Sequence, residues 1–395
     1  MIDRPEKLES VIDTVFKEEP AQDEYDKKFF RAPGRVNLIG GHTDYNDGFV
    51  LPVAIDRAVF LAARRREDKR VRVYSCSYEE KACFELEKIV FSEEIPWVNY
   101  LQGVAYFMQQ HGYELAGMDA VIKSDVPAGA GLSSSAALEV STALAFTRLN
   151  QLDIDRVKLA RICQQAENEF VGVECGIMDQ LISALGQRGS AMFLDCRSGE
   201  FELLPAAGES FKIIVADTGV KHDLAGSAYN ERRRQCNRGT DFFDGWLKKP
   251  VKALRDVSPS EFENHADKLP ENIRKRCEHV IKENERVKKC RKALKSGNLA
   301  RAGRLMKYSH ESLRDLYEVS CAELDLMVEL ALKVSGTIGA RMTGAGFGGS
   351  TVNLVKTEAV EIFKKEVGFG YKQETGLEPD IYVSDIVDGA CEIIL

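Results

Sequence analysis

Nowhere in its 395 residues does the chain run for eighteen consecutive apolar positions, so no membrane-spanning segment is expected. The opening MIDRPEKLES mixes both charges without an apolar stretch, and no secretory leader is expected from it. Ten cysteines are scattered without a CxxC pair or any metal-ligand spacing, which reads as reduced, mostly buried thiols. Positive charge is also short. The 54 Lys and Arg face 62 Asp and Glu, and a net charge of -8 argues against a general nucleic-acid binder. It leaves room for a small anionic ligand, for which a few local donors suffice. Glycine and proline are not in excess, no repeat or low-complexity tract occurs, and no GxxxxGK[ST] phosphate loop is found. What is present is a globular composition, 44% hydrophobic and 29% charged, too long for one ordinary core. A cytoplasmic, two-domain protein of small-molecule metabolism is the expectation.

The pattern along the chain is mixed. Residues 5–19 suit an opening helix, and VNLIG, FVLPVAI, AVFLAARR and RVRVYS between 29 and 74 are short, β-branched and separated by turns. MDAVIKSDVP at 118–127 reads as a further strand. GLSSSAALEVSTALAFTRL then changes to helical period, with Leu132, Ala136, Val140 and Leu144 four apart. Helices are expected over 155–170 and 177–186, strands at SAMFLDCR and FKIIVADTG, and a long helical region from about 228 to 335. The chain closes on strand, turn and strand at GARMTGAGFGGSTVNLV and IYVSDIVDGACEIIL. Composition shifts near 190–210, so the domains are drawn as 1–205 and 206–395, each an α+β mixture.

VPAGAGLSSSAALEV is the segment richest in chemistry. Gly129 and Gly131 let the backbone turn tightly around Ala130 and approach a ligand. After Leu132, three serines stand where a helix begins, and free N–H groups at a helix start attract phosphate. Ser133, Ser134 and Ser135 add hydroxyls, one of which can bind a magnesium ion carried by a nucleotide. An ordinary serine-capped helix would need fewer of these features. GAGFGG at 344–349 formally matches GxGxxG, but the following STVNLV reads as a strand, which argues against a dinucleotide fold and favours a glycine-lined hairpin close to a ligand, with a purely structural tight hairpin as the alternative. In ENEFVGVECGIMDQLISALG, Glu167 and Asp179 are ordinary surface or helix-start acids taken singly. Beside a phosphate loop they suit phosphoryl transfer, which needs one acid near the attacking hydroxyl and another for the metal.

The turn IGGHTDYNDG, with Arg35 six residues upstream of Gly41, packs polar chemistry between apolar runs. His42 and Asp44 lack a third metal ligand, so hydroxyl recognition is the better reading. Arg35 is then placed to neutralise a transferring group. The residues point to an ATP-dependent kinase for a small polar molecule.

GRVNLIGGHTDYNDG, PAGAGLSSSAALE, CGIMDQLISALG, RMTGAGFGGST and HDLAGSAYNERRRQC (222–236) together closely resemble the successive motifs of the galactokinases, in the GHMP small-molecule kinase superfamily. The resemblance implies an N-terminal domain like ribosomal protein S5 domain 2, a C-terminal ferredoxin-like α+β domain, and an active site between them. It implies transfer of the ATP γ-phosphate to the anomeric hydroxyl of D-galactose, with Mg2+. By matching position it implies Asp179 as catalytic carboxylate and Arg35 as transition-state stabiliser. Residues Gly129 to Ser135 would hold phosphates, Ser135 and Glu167 the metal, and Gly41, His42, Thr43, Asp44, Gly176, Asp179 and Tyr229 would form the sugar site. Its partners would be the two small-molecule substrates alone, with no nucleic acid, no membrane and a monomeric state.

One position departs from the pattern. Galactokinases usually read Gly-Glu-His-Thr-Asp, and Gly41 stands in place of that glutamate, which resembles a contact to the sugar 6-hydroxyl. Relatives acting on L-arabinose or galacturonate also lack the acid, so a kinase for those acceptors is an alternative. A non-catalytic galactose sensor is a further one. The known sensor lacks two residues of the serine loop, whereas Ser135 and Ala136 are present here.

Overall fold

A computed structural model describes residues 5–16, 27–206, 210–220 and 225–394. The first helix, α1 (Pro5–Val15), agrees with the expected one as far as residue 15, and residue 16 is a turn; positions 17–19 lie outside the described residues, as do 222–224 of the HDLAGSAYNERRRQC motif.

The first sheet holds β1 (Lys28–Asn37), β3 (Pro52–Arg65), β4 (Arg70–Ser75), β5 (Glu80–Glu85) and β6 (Met118–Ser124), after a two-residue β2 (Phe49–Val50) that belongs elsewhere. Its order is β13-β1-β3-β6-β4-β5, where β13 (Cys391–Ile393) returns from the far end of the chain. Among the described residues, β4 and β6 are the pair that runs in parallel. One face is covered by α1, through Leu8, Ile12 and Phe16 against Phe29, Ala62 and Val121. On the other lie α2 (Val98–Gln110), α3 (Ser134–Leu149), α4 (Arg156–Gln165) and α5 (Met178–Leu185), which share a core with Phe30, Leu61 and Val73. β7 (Ser190–Asp195) and β8 (Phe201–Pro205) complete a small sheet with β2.

The second half begins with β9 (Phe211–Asp217) and is helical from α6 (Ala225–Trp246) through a five-residue α7 (Pro259–Glu263), α8 (Glu271–Lys295), α9 (Leu299–Ser312) and α10 (Ala322–Lys333). β10 (Thr337–Met342), β11 (Ser350–Lys356), α11 (Val360–Thr375) and β12 (Asp380–Ser384) follow. The antiparallel sheet β10-β11-β9-β12 is covered on both sides. Along β9, Ile213 and Val215 face a core shared with α8 and α9, while Ile214 and Ala216 face α10 and α11. Burial on both faces explains why FKIIVAD reads as a nearly unbroken apolar run. The protein is α+β, with an antiparallel, helix-backed sheet in its second half.

Two close approaches fix the geometry of the site. β1 changes register between Pro33 and Arg35, where a Cβ on Gly34 would lie 2.7 Å from Leu132 O. That irregularity turns Arg35 to the serine loop, and its N–H donates to Leu132 O at 3.1 Å. On the other side, the β10–β11 hairpin lays Gly344 (φ 81°) on Gly131 (φ 74°), and a Cβ on Gly344 would meet Gly131 Cα at 2.8 Å. Ser350 Oγ also donates to Ala130 O at 2.8 Å. The glycines of 344–349 were expected to approach a ligand. Gly344 borders the cavity described below, yet its nearest neighbour is the backbone of the serine loop, which the hairpin braces.

Candidate active site

The opening turn is built largely from bonds to itself. Thr43 is fully buried, and its hydroxyl donates to Gly40 O at 3.0 Å and Phe49 O at 2.8 Å. Asn46 Nδ2 donates to His42 O at 2.9 Å, and Asn37 Nδ2 to Gly40 O at 3.0 Å. Glu283 on α8 accepts from Gly40 N at 2.9 Å. Much of the polar density in this stretch therefore holds the turn, and Thr43 does not line the cavity beside it. Gly40, at φ 99°, takes a backbone conformation that a side chain would disfavour.

That cavity, of about 200 Å³, brings together Arg35, Gly41, His42, Asp44, Glu167, Asp179 and Tyr229 from among the residues singled out in the sequence. Gly176 packs on Asp44, where a Cβ would come 2.3 Å from Oδ2, so glycine is what allows Asp44 its place. Tyr229 of α6 closes the side, its ring 5.6 Å from that of His42 and 5.1 Å from that of Tyr45. At the floor, Arg35 grips Asp179 with two parallel bonds, Nε to Oδ1 at 2.7 Å and Nη2 to Oδ2 at 2.6 Å. Its third nitrogen, Nη1, donates to Gly131 O at 2.7 Å. One guanidinium thus ties the helix-borne carboxylate to the serine loop in a planar fork.

Ser133 ties the loop to the carboxylate. It adopts a left-handed φ of 61° and makes no helix-capping bond; its hydroxyl donates to Asp179 Oδ2 instead. Ser134 and Ser135 line a second cavity of about 460 Å³ with Tyr78, Trp97, Tyr100 and Pro127. Ser135 is hydrogen-bonded to Glu167, whose carboxylate also accepts from Gln180 Nε2 at 2.7 Å and Cys175 Sγ at 3.1 Å. Among the described residues no three His, Cys, Asp or Glu side chains group as a metal site.

Burial sets the protonation of the cavity walls. It depresses His42 to about 3, aided by the nearby His279 and Arg341, so its imidazole is neutral. The Nδ1 atom lies 2.8 Å from Tyr45 Oη and Nε2 lies 3.1 Å from Ala345 O, which fixes Nε2 as the donor. Burial and then the charge of Asp179 lift Asp44 to about 6. Glu167 is raised as well, by burial first.

Sequence reasoning missed three groups. The aromatic wall of Tyr78, Trp97 and Tyr100 comes from scattered positions, with no motif to mark them. Tyr317, fully buried 2.7 Å from Tyr45 Oη, carries no local signal either. Arg341 sits inside the quoted RMTGAGFGG string, but nothing there says that its side chain reaches back to Gly41.

Comparison with known proteins agrees with this geometry. The galactokinase galactose-binding signature matches residues 14–65, the GHMP kinases N terminal domain 99–187, and the GHMP kinases C terminal domain 290–373. The chain is 49% identical to a galactokinase of Chloroflexus aurantiacus over 346 residues, 88% of each protein. It is 41% identical to that of Bacillus subtilis over 394 residues, covering 98% of this chain and 99% of the relative. Among solved structures, galactokinase of Lactococcus lactis complexed with galactose superimposes with a TM-score of 0.93 at 35% identity, over 98% of this chain and 99% of the other. A mevalonate kinase shares the fold at a TM-score of 0.64 and 18% identity. With the turn, the serine loop and the Arg35–Asp179 fork assembled around one cavity, the chain belongs to the galactokinase family of the GHMP kinases.

Proposed function

We propose that the protein transfers the γ-phosphoryl group of ATP to the anomeric hydroxyl of D-galactose, releasing galactose 1-phosphate and ADP. The observation that carries this reading is the Arg35–Asp179 fork, which stands between a cavity the size of one sugar ring and the serine loop. In this reading the sugar lies against His42, Asp44 and Tyr229, and adenine enters the aromatic cavity at Tyr78, Trp97 and Tyr100. The nucleotide's phosphates run along Gly129 to Ser135. Residues 1–205 carry both loops, and 206–395 supply Tyr229, Arg341 and the bracing hairpin. The protein acts as a cytoplasmic monomer on its two small-molecule substrates.

Asp179 orients the anomeric hydroxyl and takes its proton. Arg35 holds that carboxylate in place and offsets charge on the transferring phosphoryl, so the step depends mainly on positioning and neutralisation. Ser135 and Glu167 present adjacent oxygen donors beside the loop, a set that suits Mg2+, which is commonly held by one or two carboxylates together with substrate phosphates. When bound there, the ion would neutralise phosphate charge. Purified protein given ATP, Mg2+ and galactose should release ADP with galactose 1-phosphate appearing by phosphorus NMR. No ADP release with galactose would overturn the reading.

A pH dependence follows from Asp44. Ionised, its carboxylate accepts from sugar hydroxyls at both oxygens in charge-assisted bonds, whereas the protonated group donates through one oxygen and accepts more weakly, and its pKa is lifted to about 6. At saturating ATP, kcat/KM for the sugar should therefore rise with pH up to about 6 and level off above it. Asp44→Asn should flatten that step and lower sugar affinity throughout. A wild-type profile flat between pH 5 and 7 would remove Asp44 from hydroxyl recognition.

A further inference from the structure

Arg341 is among the largest fully buried side chains of the protein, 1% exposed, and it lines the sugar cavity. Its Nη1 donates to Asn37 O at 3.2 Å, while Nε has no hydrogen-bond partner among the described residues. No carboxylate among those residues forms an ion pair with it. Glu283 is the acid whose charge it feels most, and that acid is engaged elsewhere. Glu283 Oε1 takes bonds from Gly40 N and from Ser309 Oγ at 2.5 Å, and Oε2 takes Arg286 Nε at 2.5 Å. The other titratable groups near the guanidinium do not supply a partner either: His42 and His279 are pushed by burial to about 3 and about 4, and Arg35 is spent on Asp179.

Arg341 reaches the cavity through Gly41. A Cβ on Gly41 would stand 2.6 Å from Arg341 Nη2 and 3.1 Å from Leu313 Cδ1, so the guanidinium occupies the room any side chain there would need. A buried cation with one carbonyl bond and no carboxylate in contact is costly unless something supplies a further acceptor. The cavity is where that acceptor can enter.

We propose that Arg341 is a specificity-determining residue of the acceptor site: through the gap at Gly41 its guanidinium donates to one oxygen substituent of the bound sugar. This rests on the galactose reading above. A hydroxyl oxygen satisfies the donor, and a carboxylate at the same carbon satisfies it more strongly, because a guanidinium and a carboxylate make charge-assisted, bidentate bonds.

The test pairs substrate with residue. Rates of ADP release are measured for D-galactose, its four monodeoxy analogues at carbons 2, 3, 4 and 6, and galacturonate, with wild type, Arg341→Met and Arg341→Lys. In wild type, one deoxy analogue should lose about tenfold or more in kcat/KM, chiefly through KM. In Arg341→Met that analogue and galactose should become nearly equal. Where the discriminating analogue is the 6-deoxy sugar, galacturonate should suffer more than galactose from Arg341→Met and recover in part with Arg341→Lys. Should Arg341→Met fail to fold, Gly41→Ala provides the second variant: it keeps the cation but fills its room, and the same convergence is expected. Losses in equal ratio across all six sugars would overturn the inference while leaving the galactose reading intact. Absence of ADP release from wild type with galactose would overturn that reading, and this inference with it.

Discussion

Asp179→Asn is expected to lower kcat by at least about 10³-fold while leaving ATP binding within about threefold of wild type. The asparagine keeps one carbonyl oxygen but turns an NH2 toward Arg35 or Ser133, both of which donate to Asp179 in the native site. Two donors then face a third, so the fork opens and the proton acceptor is lost together. The aromatic cavity proposed for adenine is lined by Tyr78, Trp97 and Tyr100, and Asp179 is not among its walls. Titration calorimetry with ATP and a stopped ADP-release assay separate the two effects. Turnover within tenfold of wild type, in protein that still binds ATP, would remove Asp179 from the chemistry.

The second large effect belongs to a residue far from any proton transfer. Gly344→Ala places a methyl group 2.8 Å from Gly131 Cα and 2.9 Å from Gly131 O, and both neighbours are backbone with no rotamer to change. Either the hairpin or the serine loop has to move, and Gly131 O is also what Arg35 Nη1 holds. A displacement of about 1 Å at such a seam costs roughly 10²-fold in rate, and kcat/KM should fall by at least that amount. Gly112→Ala is the control. Its φ of 83° nearly equals the 81° of Gly344, but nothing lies within 4 Å of its Cβ, so it isolates backbone strain from contact. Gly112→Ala should lower the melting temperature slightly and leave the kinetics unchanged. If both substitutions behave alike, the hairpin does not brace the loop.

What the sequence showed clearly was local chemistry. The serine loop, the strand before it and the helix after it lie where VPAGAGLSSSAALEV places them, because each is specified by residues adjacent in the chain. Two helices escaped, α2 and α11, and both carry interior glycine. In α11, a Cβ on Gly370 would come 2.9 Å from Leu330 Cδ2 of α10, and in α2 one on Gly103 would come 3.1 Å from Ala166 Cβ. The residues that weaken the helical signal are the ones that let these helices pack closely. Strand β5, EKACFE, sets polar residues among apolar ones, and β8, FELLP, spans five residues interrupted by Glu202 and ended by a proline, so neither gave a long apolar run to read.

The site divides in the same way. The Arg35–Asp179 fork joins two recognisable motifs, so both members were found. The aromatic cavity is made by residues from unconnected stretches. Gly41 was visible only as an absence, since what fills its place comes from position 341, three hundred residues later. Thr43, which belongs to a motif that reads as sugar recognition, turns its hydroxyl into the turn and shows that a motif can mark scaffold as well as contact.

The return of β13 to β1 has a consequence for how the molecule comes into being. Lys28 on the first strand bonds Glu392 on the last, 364 positions apart. The same closing segment also reaches α5: Ala390 N donates to Ser183 O and Gly389 N to Gly186 O, at 2.7 Å each. At synthesis rates of about 5–20 residues per second, the edge of β1 waits roughly 20–70 s for its partner and the end of the helix that carries Asp179 roughly 10–40 s. The first half emerges early but cannot be sealed until the strand that seals it is made. During that interval it is an open-edged intermediate of the kind chaperones bind.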